Sequence, residues 1–222
     1  MSDFSEQEYD EEQEGTDEPE LELEAGEEEE QEDQKEEENI PEKTLTKEMV
    51  EDGLSLLCKT GNGLAHAYVK LDLKDKEVTD INILALYIHL RYIDISGSLL
   101  RDISPLNSLT HILTLKCDRN LLTSAKLDEL PYLQNASFTN NRITTMEGLN
   151  HPLLEVLNMS FNEISVISGL EPSKLGRLHT LELRGNKLTT TAGIYLPNLK
   201  NLFLVSMESD SSSFITELCI TV

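Results

Sequence analysis

Apolar residues recur along most of this chain at a fixed spacing, from about residue 68 to residue 204. In each copy, two apolar residues alternate with a polar one, and an apolar residue stands three positions earlier. In the clearest copies, an asparagine follows three positions after the alternating pair. Alternation with a period of two predicts a short strand that turns its apolar side chains toward a core. The four clearest copies place this asparagine 21, 21 and 24 residues apart, at Asn120, Asn141, Asn162 and Asn186.

This spacing is the signature of leucine-rich repeats. It predicts an α/β solenoid with short repeats of 21–24 residues, in which parallel strands line the concave face. Such repeats are too short for a long helix, so we expect short helical or 3₁₀ turns on the outer side. Strands are predicted near 71–73, 93–95, 115–117, 136–138, 157–159, 181–183 and 202–204.

The asparagine has a physical role in this pattern. Its side chain can hydrogen-bond backbone groups of adjoining coils where the chain turns after the strand. Two weaker copies come first and carry Lys76 and Ser98 in its place, and a seventh copy has Met207 there. No coil can bury its own faces, so each coil needs neighbours on both sides.

The ends of the chain depart from the repeat. Residues from Thr46 to Cys58 have apolar positions at helical spacing, with Thr46 as N-cap and Gly61 and Gly63 as a stop, which predicts a helical N-terminal cap. After Leu204 no capping motif follows, so the last strand is expected to leave an exposed edge. The predicted organisation is a disordered acidic tail (1–42), a helical cap (43–67), the repeats (68–205) and an atypical C-terminal tail without a cap (206–222).

Charge is concentrated in the tail. The chain has a net charge of −24, and its first 42 residues contain 22 Asp and Glu against one Lys. Such a segment repels itself and lacks core material, which favours disorder. Phosphate binding needs clusters of Lys and Arg, so nucleic acid is not an expected partner. The simplest interpretation is a solvated segment without a specific ligand. Binding of basic proteins such as histones and a role as a spacer remain alternatives.

The sequence shows no secretory signal and no membrane span. No apolar stretch follows a basic start, and no run reaches the roughly 18 apolar residues that a span needs. We therefore expect an intracellular protein without membrane contact. Its three cysteines, Cys58, Cys117 and Cys219, lack a paired pattern and are expected to be reduced.

No constellation in the sequence supports catalysis. The five histidines are scattered without a cysteine or second histidine at ligand spacing, so no metal site is expected. A nucleophile elbow, a P-loop and a zinc motif are all absent from the sequence. We expect no catalytic, cofactor-binding or metal-binding residue and no small-molecule substrate.

The outward side chains of the strands are the candidate binding residues. Residues that flank the core leucines should form columns across the solenoid, and such a concave sheet is the usual partner-binding surface. The mixture is polar, uncharged at its centre and flanked by pairs of opposite charges, which suits a folded protein better than a phosphate backbone. The predicted contact residues are Tyr92, Asp94, Lys116, Asp118, Asn135, Ser137, Asn158, Glu182, Arg184 and Phe203.

A resemblance to a known family makes the expected function more specific. The segment GLSLLCKTGNGLAHAYVKL (53–71), the later YIHLRYIDIS (87–96), ELPYLQ and LHTLELRGNKL resemble a family of axonemal leucine-rich-repeat proteins of the radial spoke. The similarity covers about residues 43 to 204. It implies a structural, non-enzymatic protein of motile cilia and sperm flagella that binds spoke subunits and is needed for motility. In that family further repeats follow, so the departure near Val205 resembles a shortened or alternatively spliced form.

A second function class remains open. Short intracellular repeats of this type also resemble phosphatase regulators and acidic nuclear proteins that bind histones. The chain could therefore be a soluble adaptor. Its acidic segment discriminates weakly, because in the acidic nuclear family that segment follows the repeats, whereas here it precedes them.

Overall fold

A computed structural model describes residues 40–61 and 63–204 together with the backbone of Ile220–Thr221. Residues 1–39 of the predicted disordered tail (1–42) lie outside the described part, as does most of the predicted C-terminal tail (206–222). The chain divides into two units, 1–41 and 42–222, and the fold below is that of the second unit. The predicted domain boundaries remain predictions.

The repeats form the parallel solenoid that the sequence predicts. Successive strands pair in sequence order, and each of the six parallel pairs joins three residues to three residues one repeat later. The strands are β1 (Leu54–Lys59), β2 (His66–Asp72), β3 (Tyr92–Asp94), β4 (Thr114–Lys116), β5 (Asn135–Ser137), β6 (Val156–Asn158), β7 (Thr180–Glu182), β8 (Asn201–Phe203) and β9 (Ile220–Thr221). Strands β3 to β8 each begin one residue before the predicted position, β2 begins five residues before it, and β1 and β9 were not predicted as strands.

The core is a continuous stack of these strands' inward residues. The middle residue of each short strand is buried, and the register places it directly above its equivalent in the next coil. Most of these residues are Leu or Ile, and the exception is Ala136. Stacking buries both faces of every inner coil, as the repeat pattern requires. The middle residues are Leu71, Ile93, Leu115, Ala136, Leu157, Leu181 and Leu202.

The asparagines connect neighbouring coils, as predicted. The Nδ2 of Asn141 donates to the Cys117 carbonyl of the preceding coil at 3.0 Å and to the Phe138 carbonyl of its own coil at 2.9 Å. Its Oδ1 accepts the Leu122 N–H at 3.1 Å. The same set of bonds recurs at Asn120, Asn162 and Asn186.

The predicted helix of the N-terminal cap was wrong in its second half. Helix α1 (Lys47–Gly53) begins at the predicted N-cap Thr46, whose hydroxyl accepts the Met49 N–H at 3.3 Å, but it ends at Gly53. From Leu54 the chain forms β1, which pairs antiparallel with β2. A Cβ at Gly53 would lie 2.5 Å from the Asp72 carbonyl, so only glycine fits this close approach. Pairing with β2 therefore overrides the helical spacing of residues 54–58.

Short 3₁₀ helices occupy the outer side of the first coils, as predicted. They span Asn82–Leu86 and Ser104–Ser108, and each buries one leucine against the core. Within the described residues, no helix has the length and apolar character needed to cross a membrane.

The C-terminal edge of the sheet is covered, which corrects the prediction of an exposed last strand. The backbone of β9 pairs antiparallel with β8, joining Asn201 to Thr221 and Leu202 to Ile220. Sixteen residues separate β8 from β9 in the sequence. A strand that pairs antiparallel can satisfy a sheet edge without continuing the repeat.

Candidate protein-binding surface

The side chains that flank each buried strand residue form one surface, which we call the strand face. Because the strands are parallel and in register, equivalent residues of successive coils lie in straight columns. The first column contains Lys70, Tyr92, Thr114, Asn135, Val156, Thr180 and Asn201. The second contains Asp72, Asp94, Lys116, Ser137, Asn158, Glu182 and Phe203.

The first coils of the strand face carry a cluster of opposite charges. The Nζ of Lys74 lies 3.3 Å from Asp72 and 3.3 Å from Asp94. The hydrogen bond to Asp94 and the negative charge of Asp94 raise the pKa of Lys74, and Asp72 raises it further. Asp94 itself is only 9% exposed. The charge of Asp94 is thus matched inside the molecule, so this residue offers little to a partner.

Asp118 holds two coils together. Its Oδ1 accepts the Ser137 hydroxyl at 2.5 Å and the Thr139 N–H at 2.7 Å, both from the next coil. Its own N–H donates to the Ser96 hydroxyl of the previous coil at 3.2 Å. Charge-assisted bonds of this kind are the stronger class of hydrogen bond. The main role of Asp118 and Ser137 is therefore to stabilise the contact between neighbouring coils.

Lys116 is the most available charge of the predicted set. It is exposed in the second column, between Asp94 on β3 and Ser137 on β5. No ion pair joins it to another part of the chain that the structure describes. Exposed Tyr92 stands in the first column of the preceding coil. Tyr is enriched at protein interfaces, whereas Lys is not, so Lys116 would act through charge complementarity with a partner.

At the other end of the strand face, side chains contact one another across neighbouring strands. The guanidinium of Arg184 lies over the ring of Phe203 at 4.6 Å, a cation–π contact across β7 and β8. The Nε of Arg184 is buried and has no hydrogen-bond partner among the described residues. One coil earlier, the side-chain amide of Asn158 donates to Glu182 at 3.3 Å. This end presents the half-buried ring of Phe203 and the Arg184 cation in contact with each other.

The structure places all ten predicted contact residues on or beside the strand face, although their role in binding stays a prediction. Tyr92 and Lys116 are exposed, Asp94 is buried, and the other seven are half-buried. Sequence reasoning missed the contribution of the first coil to the same columns. Its signal was the weak repeat around Leu71 and Leu73, which places Lys70, Asp72 and Lys74 on this face.

Titratable groups elsewhere in the described residues do not form a reactive cluster. Burial raises the pKa of the Cys117 thiol well above its usual value and so keeps it neutral. Burial lowers the pKa of His151 to about 4, and its Nδ1 accepts the Leu130 N–H at 3.2 Å. No group of three or more His, Cys, Asp or Glu residues stands close enough to hold a metal in the part of the chain described here.

Comparison with known proteins agrees with this architecture. No family model matches the chain. It is 62% identical over 141 residues to the human protein named leucine-rich repeat-containing protein 23, and 56% and 51% identical to the bovine and mouse proteins of that name. These matches cover 64–72% of this chain but only 41–47% of the relatives, so the chain spans less than half of the length of the relatives it matches.

A solved structure shows the same fold. An internalin from Listeria monocytogenes superposes with a TM-score of 0.54 and 22% sequence identity, over 64% of this chain and 43% of the internalin. At this identity the likeness concerns the fold alone. Relatives and structural neighbour alike are leucine-rich-repeat proteins, a class generally used for protein interaction.

Proposed function

We propose that this chain, a leucine-rich-repeat solenoid whose vertebrate homologues are named leucine-rich repeat-containing protein 23, is a non-enzymatic scaffold of the axoneme. It would reside in motile cilia and sperm flagella, bind protein subunits of the radial spoke and contribute to motility. Homology at 51–62% identity and the repeat fold support a protein-interaction scaffold. The placement in the radial spoke rests on the family resemblance described above.

The observation that carries the proposal is the strand face. Its in-register columns present a polar surface supported by the Asn ladder beneath, with Tyr92 and Lys116 exposed and Arg184 fixed over Phe203. Preorganised side chains lose less conformational entropy when a partner binds. A folded protein subunit with an acidic patch opposite Lys116 is the partner that this surface favours.

Reversal of one charge tests this proposal. The full chain with Lys116→Glu should be lost from detergent-extracted axonemes of ciliated cells, because an exposed cation is replaced by a repelling anion without removal of any internal ion pair. Arg177→Glu is the matched control, since Arg177 is exposed in a turn outside the two columns. Retention of the Lys116 variant at the level of the control would contradict binding through the strand face.

A soluble adaptor is the alternative function. The 22 acidic residues among the first 42 would attract basic nuclear proteins, although their position before the repeats discriminates weakly. The repeats also suit a phosphatase regulator. Fractionation of ciliated or spermatogenic tissue separates the two functions. Recovery of the protein with the axoneme supports the scaffold, and recovery only in soluble or nuclear fractions supports the adaptor.

A further inference from the structure

A groove lies beside the N-terminal hairpin, away from the columns of the strand face. Its volume is about 390 Å³. One wall is the β1–β2 hairpin, with Lys59 and Ala67, and the other wall is formed by the residues that lead into β3 and β4, with His89, Arg91 and His111. The groove exists because the hairpin extends beyond the point at which the parallel sheet begins.

The strand register explains this extension. Strand β2 pairs with β1 from His66 to Leu71, but it pairs with β3 only from Lys70 onward. The Arg91 N–H donates to the Val69 carbonyl at 2.8 Å, where the parallel contact starts. Before that point, the other backbone edge of β2 has no strand partner within the described residues. It can accept an extended peptide as an additional strand.

The lining of the groove is basic. Lys59, Arg91, His89 and His111 all contribute to it, and neither Asp nor Glu does. Lys59 and Arg91 form no ion pair with any described residue. The ring of His111 is held by stacking on Tyr132, with the ring centres 5.6 Å apart. Lys59 and Arg91 therefore place two positive charges in the groove without a carboxylate among its lining residues.

An apolar hollow continues from the groove. It has a volume of about 200 Å³ and shares Ala67, Ile88 and His89 with the groove. Leu86 is 78% exposed and Ile88 is 54% exposed along its rim. Contiguous exposed aliphatic side chains beside polar ones often indicate an interaction site. The groove and the hollow together match a ligand that carries negative charge and an aliphatic side chain.

We propose that this hairpin groove binds an acidic, extended peptide segment of a partner protein. The peptide would add to the unpaired edge of β2, place carboxylates near Lys59 and Arg91, and insert an aliphatic side chain into the hollow beside Leu86. The concave form and the available backbone edge favour a peptide over a membrane surface. This second docking surface does not depend on the proposed role of the strand face.

Peptide binding to the full chain tests the proposal. The probe is a fluorescent peptide in which Glu and Leu alternate, measured by anisotropy at physiological salt, with a peptide of alternating Lys and Leu as comparison. We expect saturable binding of the acidic peptide only, with affinity lowered at least about tenfold by Arg91→Glu. Leu86→Asp, at an exposed position, should lower it several-fold, while Arg177→Glu should leave it unchanged.

Four results would overturn the proposal. They are an absence of binding to the acidic peptide, equal binding of the basic peptide, an equal loss with Arg177→Glu, and affinity of the Arg91 variant equal to that of the unchanged chain. Vesicles of phosphatidylserine and phosphatidylcholine provide a further arm. If they bind in a manner that depends on Arg91 and Leu86 while the acidic peptide does not bind, the surface contacts a membrane and the peptide proposal is rejected.

Discussion

The side-chain Nδ2 of Asn162 donates to the backbone carbonyl of Phe138, 24 residues earlier, at 2.9 Å. The same amide group donates to the Met159 carbonyl at 3.0 Å, and its Oδ1 accepts the Ile143 N–H at 3.0 Å. Asn162 is buried, so water cannot replace these partners. One side chain thus satisfies backbone groups in successive coils and fixes their separation.

Replacement of this asparagine should strongly destabilise the solenoid. Asn162→Ala leaves buried backbone groups unpaired and should lower the free energy of unfolding by about 2–4 kcal/mol. Chemical denaturation measures the change. Asn150→Ala is the control, because the Asn150 side chain makes an exposed bond to Glu129 and its loss should cost little. Equal effects of the two substitutions would contradict a special role for the buried ladder.

Ser98 provides the opposite test. It occupies the asparagine position of its coil and is buried, but its Oγ has no hydrogen-bond partner within the described residues because the side chain is too short to reach the preceding coil. Ser98→Asn should extend the ladder by one coil and raise the free energy of unfolding by about 1 kcal/mol. A decrease in the denaturation midpoint would show that the space around residue 98 cannot accept the larger amide.

His151 should make stability depend on pH. Its folded pKa is about 4 because burial disfavours the charged ring, against an ordinary value of 6.5. Between these values the unfolded chain binds a proton that the folded chain does not. Stability is therefore complete above about pH 6.5 and falls as the pH decreases toward 4, by about 3 kcal/mol in total.

A neutral variant isolates this contribution from that of the carboxylates. His151→Gln retains an acceptor for the Leu130 N–H but cannot be protonated. The difference in unfolding free energy between the unchanged chain and this variant should be constant above pH 6.5 and should decline below it. Parallel pH profiles for the two proteins would rule out His151 as the source.

The candidate surface could be predicted from the sequence to a large extent. Strand residues alternate between core and solvent, so the repeat alone placed Lys116 and Arg184 on the outer side. It could not show that Asp94 is matched by Lys74, or that Asp118 is bound to Ser137 and Thr139. Those contacts join different coils, and they depend on side-chain rotamers that the spacing of residues does not specify.

The sequence by itself determined the parallel solenoid, since every core leucine and every ladder asparagine repeats at a spacing fixed within one coil. Only the tertiary structure decided how the ends are completed. Residues 54–58 have helical spacing but form β1 because β2 offers a strand to pair with, and β9 covers β8. The spacing of residues reports the conformation within one coil. An edge strand has unpaired backbone groups, and these are satisfied by whichever segment of the chain can pair with them.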